Sequence, residues 1–169
     1  MALLAGCADT RHLIVVDVPT QRMTVLDEGV PVASYPVSTS KFGIGDAFTS
    51  NQTPAGLLRI KKKIGGGVPA GTVFKSRKPT GEILPPDAPG RDPIVTRILW
   101  LEGLEEQNRN AFDRYIYIHG TPEERNIGIP VSYGCIRMRS RDVIELYDRV
   151  GVGARVRIIP PPARPTGAP

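Results

Sequence analysis

Cysteine and histidine are scarce in this chain, with two of each among 169. Cys7 and Cys135 do not make a disulfide framework. At this length none is needed, because a domain of this size buries about 70% of the surface its unfolded chain exposes. Zinc-type sites need three or four ligands at close spacing. No second Cys or His stands near Cys135 and His119 in that spacing, so no metal is expected. Long apolar runs are also missing: the longest plain one in the body, Leu13-Ile14-Val15-Val16, is far too short to cross a bilayer. There is no internal repeat. The glycine clusters around Gly43 and Gly65 are followed neither by Lys-Ser/Thr nor by a helical pattern, which argues against a phosphate loop.

What is abundant is Gly (18) and Pro (17), set between short apolar runs in a chain that is 40% hydrophobic with charges of both signs. That composition belongs to a soluble, turn-rich, mostly β protein of one domain. The formal charge of +5 and a pI near 9.5 suit anionic surroundings: nucleic acid, anionic lipid or cell-wall polymer. They are equally compatible with no anionic partner. Lys61-Lys62-Lys63 is the one basic run and reads as a solvated strand or turn. No nucleic-acid motif accompanies it, so nucleic acid is not expected as a partner.

Near the N-terminus, Leu4-Ala5-Gly6-Cys7 resembles the lipobox of a bacterial lipoprotein signal, although no basic n-region or full apolar h-region precedes it. Two readings stay open for residues 1–10: a truncated signal segment with a lipid anchor at Cys7, or a chance match. Residues 160–169 form a Pro-rich tail expected to be disordered. The domain between, 11–159, reads as a hairpin (Arg11–Val18, Gln21–Asp27), a third strand (Val30–Thr39), a loop (Lys41–Pro54) and strands at Gly56–Lys63 and Thr72–Lys75. A Pro-, Gly- and Asp-rich surface loop follows (Pro79–Pro93), then strands at Ile94–Leu101 and Tyr115–His119.

One helix is predicted, over about 140–150. Ser140 is placed to cap it and Asp142 to meet its dipole. Val143, Ile144, Leu146, Tyr147 and Val150 share a face, and Gly151 is the stop. Arg155–Ile159 returns as a last strand. The expected fold is a β-sandwich or barrel-like domain with this helix packed on it.

The chemistry is concentrated between Tyr115 and Met138. His119 ends a strand, and a loop broken by Pro122, Gly128 and Pro130 can fold back to bring Cys135 beside it. An imidazole that takes the thiol proton makes a nucleophile. Gly134 lets substrate and backbone N–H groups converge on one point, where they can hold an oxyanion. Arg137 can bind a carboxylate and favour the thiolate. Singly, a Cys is usually inert packing and a His usually just satisfied. The set together favours catalysis.

These residues resemble the L,D-transpeptidase catalytic domain, also called the YkuD domain. Its pattern of His-Gly-Thr, a loop, then Ser/Thr-x-Gly-Cys-x-Arg/Asn stands here as His119-Gly120-Thr121 and Ser132-Tyr133-Gly134-Cys135-Ile136-Arg137. Leu13–Val18, Val37-Ser38-Thr39-Ser40, Thr53-Pro54-Ala55-Gly56 and Arg97–Leu101 also match the family's habits, so the likeness runs from about Arg11 to Ile159. The resemblance implies that Cys135 is the nucleophile, His119 its base and the Gly120 carbonyl the group orienting the imidazole. It implies an oxyanion hole from the N–H groups of Tyr133, Gly134 and Cys135, and a substrate site with Arg137, Ser132 and Tyr117. Many family members carry His where Tyr133 stands, so a second-histidine role is in doubt.

The implied reaction is acyl transfer. Cys135 attacks the L-centre carbonyl of diaminopimelate in a tetrapeptide stem, D-Ala leaves, and an amine resolves the thioester to a 3→3 cross-link or to an attached protein. The resemblance further implies no cofactor, peptidoglycan stem peptides as partners, and a location in the cell envelope outside the cytoplasmic membrane. The expected oligomeric state is a monomer. An L,D-carboxypeptidase or endopeptidase on the same site, and a non-catalytic wall-binding module, are the competing readings.

Overall fold

The computed structural model describes residues 8–163, so Cys7 and the end of the Pro-rich tail lie outside the described residues. Ten strands and one α-helix follow in order: β1 His12–Asp17, β2 Arg22–Asp27, β3 Val30–Pro36, β4 Gly56–Ile64, β5 Thr72–Lys75, β6 Lys78–Ile83, β7 Val95–Gly103, β8 Tyr117–Gly120, β9 Ile136–Met138, α1 Ser140–Arg149 and β10 Arg155–Ile159. They form one connected mixed sheet of order β3-β2-β1-β10-β4-β7-β5-β6, with β8 on β7 and β9 on β8. The β1–β10 and β8–β9 pairs are parallel; the remaining pairs are antiparallel. The mostly β architecture with a single helix is the expected one.

The two-residue period of a strand sorts the core. Along β7, Leu99 and Leu101 enter a large cluster, while Ile98 and Trp100 enter a smaller one on the other face. Both faces are therefore covered, which is why Val95–Leu101 is buried without a break. The large cluster also takes Ile14 and Val16 of β1, Leu58 and Ile60 of β4, Ile118 of β8, Ile136 and Met138 of β9, and Val143, Leu146 and Val150 of the helix segment. Each such side chain contributes roughly 1.5–3 kcal/mol of burial. Helix α1 packs across β7 and β8.

Three local expectations are corrected. The stretch Pro79–Pro93 is not all loop, because its first residues belong to β6, an edge strand whose outer side faces solvent. An edge tolerates Pro79, since a missing N–H costs nothing there. Ser140 does not cap α1: the cap position is Arg139, and Ser140 opens the helix. The Ser140 N–H is instead satisfied by Glu124 Oε1 at 2.8 Å, from a distant loop. Of the basic run on β4, Lys61 and Lys62 are exposed but Lys63 is half-buried. Its Nζ donates to the Tyr147 and Val150 carbonyls at 2.6 and 2.7 Å, closing the negative end of α1. Strand β9, three residues long, is an addition to the expected elements.

Candidate active site

Period-two alternation assembles the site as well. On β8, Ile118 points into the large cluster, so Tyr117 and His119 face the opposite way. On β9, Ile136 and Met138 point into the same large cluster, so Cys135 and Arg137 also face the opposite way. The parallel register sets His119 directly against Arg137. The two halves of the motif thus meet on one face of adjacent parallel strands. There Cys135, His119, Arg137, Tyr133, Asp92 and Ile94 line a cavity of about 130 Å³.

His119 is 5% exposed, and its Nδ1 lies 2.8 Å from the Gly120 carbonyl oxygen. A carbonyl can only accept, so Nδ1 carries the proton and Nε2 is left as the basic nitrogen. Burial depresses the imidazole from 6.5 to about 4; the Gly120 carbonyl pulls upward and the Arg137 charge adds to the depression. Burial likewise pushes the Cys135 thiol up to about 11, opposed by the Tyr117 N–H and the charges of Arg137 and Arg114. At neutral pH the resting pair is therefore thiol and neutral imidazole. The half-buried sulfur accepts from Tyr117 N–H at 3.3 Å and donates to the Tyr115 carbonyl at 3.4 Å. Among the described residues it makes no hydrogen bond to the imidazole, although the two groups wall one cavity.

The loop before Cys135 is clamped from below. Ser132 Oγ donates to the Cys135 carbonyl at 2.6 Å and accepts from Gly134 N–H at 3.3 Å. The fully buried Thr53 donates its hydroxyl to the Gly134 carbonyl at 2.9 Å and accepts from Ser40 N–H. Gly134 has φ +121°, which favours glycine, and a Cβ there would crowd Gln52 O and Ile116 Cδ1, each at 3.2 Å. Of the three N–H groups expected to form an oxyanion hole, that of Gly134 is engaged by Ser132. Those of Tyr133 and Cys135 make no hydrogen bond among the described residues.

The loop carrying Thr53 is anchored in turn by a buried ion pair, Arg114 Nη1–Asp46 Oδ1 at 2.9 Å, with side chains 6% and 5% exposed. Arg114 also holds the Gln52 and Gly45 carbonyls.

Arg137 reaches the cavity but is already paired. Its Nη1 lies 2.6 Å from Asp92 Oδ2 and 3.8 Å from Glu123 Oε2. Asp92 is held from its other oxygen by Thr121 Oγ1 at 2.5 Å, which gives the threonine of His119-Gly120-Thr121 a task. Tyr133 stands at the rim, 57% exposed, with its hydroxyl accepting from Lys41 Nζ at 2.9 Å and its ring tilted on Phe42. Tyr117 does not line the cavity through its side chain, which is 4% exposed and sits edge-on to Trp100; its backbone N–H is what meets the sulfur. Ser132 is behind the loop rather than on the cavity wall. Sequence reasoning missed Asp92, which stands in a Pro/Gly-rich stretch with no local pattern, and the Asp46–Arg114 clasp, whose partners are far apart in the chain. Among the described residues no group of three His, Cys, Asp or Glu is placed to hold a metal ion. No helix there is long and apolar enough to cross a membrane.

Comparison with known proteins bears on these observations. The family model of the L,D-transpeptidase catalytic domain (YkuD) matches residues 11–158. A probable L,D-transpeptidase ErfK/SrfK of Salmonella typhimurium is 31% identical over 159 residues, which is 91% of this chain and 46% of that protein. A putative L,D-transpeptidase YqjB of Bacillus subtilis is 29% identical over 155 residues, 86% of this chain and 69% of that protein. The chain thus spans about half the length of the Salmonella relative. Among solved structures, an L,D-transpeptidase from Mycobacterium smegmatis superposes with a TM-score of 0.58 at 20% identity, over 88% of this chain and 58% of that one. L,D-transpeptidase 3 from Mycobacterium tuberculosis, in complex with a faropenem-derived adduct, gives 0.57 at 20%, over 88% and 60%. At that identity the likeness is one of fold.

Proposed function

Because this chain belongs to the L,D-transpeptidase catalytic-domain family, we propose that it is a peptidoglycan L,D-transpeptidase in which Cys135 is the nucleophile and His119 the base. The observation that carries the reading is the imidazole held by the Gly120 carbonyl in its Nδ1–H form, on a cavity wall shared with the thiol. With Nε2 free, His119 takes the Sγ proton as the sulfur turns from the Tyr115 carbonyl toward it, a contact that forms with bound substrate. Sγ then attacks the L-centre carbonyl of diaminopimelate in a tetrapeptide stem. The oxyanion is met by the N–H groups of Tyr133 and Cys135, with Gly134 joining if Ser132 releases it. The imidazolium protonates the leaving nitrogen and D-Ala departs, leaving a thioester. An amine from a second stem or a protein lysine attacks it, His119 takes that amine's proton, and a 3→3 cross-link or a protein attachment forms. The peptidoglycan substrate puts the work outside the cytoplasmic membrane.

Arg137 is proposed to line the substrate site, fixed through Nη1 by Asp92 while the rest of its fork is left for donor contacts.

The deciding experiment is incubation with a tetrapeptide muropeptide. Dimer with a 3→3 link, absent with Cys135→Ala, is the expected result. Tripeptide without dimer at high acceptor concentration would replace the transferase reading with the hydrolase one. No turnover and no covalent carbapenem adduct would leave a wall-binding module.

A further inference from the structure

We propose that Thr96 is a positioning residue that sets the imidazole of His119 through the Gly120 carbonyl; this rests on the catalytic reading of His119 given above. Thr96 is fully buried and has φ +73°. A β-branched residue in the left-handed region is a costly conformation, retained only where the surroundings over-determine it, and such residues gather at functional sites. The strain sits in a β-bulge. The β7–β8 register jumps from Val95↔Gly120 to Ile98↔His119, leaving Thr96 and Arg97 as the extra residues on β7. The jump therefore falls between His119 and Gly120, where the ring and its partner carbonyl belong.

The contact is direct. A Cβ built on Gly120 would lie 3.1 Å from Thr96 Cβ and 2.6 Å from the Val95 carbonyl oxygen, so the backbone of Gly120 rests on the bulge. The Thr96 hydroxyl pins the strained conformation from two sides. It accepts from Gly71 N–H at 2.9 Å and shares a hydrogen bond with Ser140 Oγ at 2.6 Å. Ser140 is in turn held by Glu124, from the segment that follows Gly120-Thr121. The bulge, the start of α1 and that segment are thus tied at one hydroxyl, and Gly120, whose carbonyl accepts from His119 Nδ1, packs against the same residue.

The test reads the ring itself. In wild type, the nitrogen resonances of the His119 imidazole should report the Nδ1–H form. Thr96→Val keeps the shape, loses both hydroxyl bonds and disfavours φ +73°. It should shift His119 toward a mixture with the Nε2–H form and slow carbapenem acylation on the order of 10²-fold, with donor KM little changed. Thr96→Ser, which keeps the hydroxyl, should stay near wild type in both. Should Thr96→Val fail to fold, Ser140→Ala removes one of the two bonds without touching the bulge backbone, and should move the tautomer the same way. A wild-type tautomer in a folded Thr96→Val, or in Ser140→Ala when that variant stands in, would overturn the proposal, whatever the rate. The tautomer needs no turnover, so an enzyme that never acylates would sink the catalytic reading while leaving this one decidable.

Discussion

Tyr117 donates its backbone N–H to Cys135 Sγ over 3.3 Å. Strand β8 therefore supplies both the imidazole, through His119, and a donor that favours thiolate over thiol, while the Tyr115 carbonyl just upstream favours the thiol. The sulfur rests between two backbone groups of opposite preference.

Cys135→Ala should abolish the covalent adduct with a carbapenem, read by intact mass. On the proposed roles, Cys135→Ser should slow acylation at least about 10³-fold and His119→Ala nearly as much, because a nucleophile and its base act as a unit. An adduct surviving in Cys135→Ala would place the nucleophile elsewhere.

The opposed displacements of thiol and imidazole predict the pH behaviour of the resting enzyme. With the thiol near 11, alkylation of Cys135 by iodoacetamide should climb about tenfold for each step of one in pH, from about 6 to about 9, without a plateau. A plateau near neutrality would mean a preformed thiolate–imidazolium pair.

His119 also links stability to acid. Its folded value, about 4, lies below the ordinary 6.5, so the folded state resists protonation. The contribution is complete above pH 6.5 and is lost as the pH falls toward 4. Each tenfold weakening of proton binding is worth about 1.4 kcal/mol, so roughly 2 kcal/mol should disappear between about pH 7.5 and about pH 5. Urea unfolding at both pH values should show that drop in wild type and little of it in His119→Gln.

Asp46→Ala strands the buried Arg114 guanidinium. It should destabilise by about 3–5 kcal/mol, which for a domain of this size is a fall in Tm of about 10 °C. Because Arg114 also holds the loop that carries Thr53, the surviving folded fraction should acylate more slowly than wild type. A Tm within a degree or two of wild type would show the clasp to be dispensable.

Gly134→Ala places a methyl group 3.2 Å from Gln52 O and Ile116 Cδ1 at φ +121°. Gly128→Ala, at φ +104° with open space around it, suffers the conformational strain alone. The strain costs about 1–3 kcal/mol in either case. Thermal melts should therefore rank Gly134→Ala below Gly128→Ala, and only the former should lose acylation.

Much of the site is legible in the chain because its residues come in two short runs whose local spacing already implies the geometry. Alternation along Tyr117-Ile118-His119 and along Cys135-Ile136-Arg137 puts the polar members on one face and the isoleucines in the core. The helix over Ser140–Arg149 is equally visible in its apolar spacing. What local pattern does not show is pairing between distant segments. Strand β9 is too short to announce itself and exists because β8 offers it an edge. Strand β6 is hidden by Pro79 and Gly81, residues an edge strand can carry. Ser140 has the chemistry of a cap, but Glu124 does that work from sixteen positions upstream, leaving the Ser140 hydroxyl for Thr96.

The order of residues by itself therefore determined the chemistry on offer: a thiol and an imidazole in two neighbouring runs, a glycine where backbone donors must converge, and alternating strands to carry them. Only the tertiary structure decided how those groups are tuned. The Arg137 charge is shared with Asp92, the loop before Cys135 is clamped by Thr53 and the Asp46–Arg114 pair, and Gly120, whose carbonyl holds the ring, packs against a strained Thr96. Side-chain direction follows from a two-residue period that any strand has. Burial, charge pairing and strain depend on which remote segments the folded chain brings to within a few ångströms.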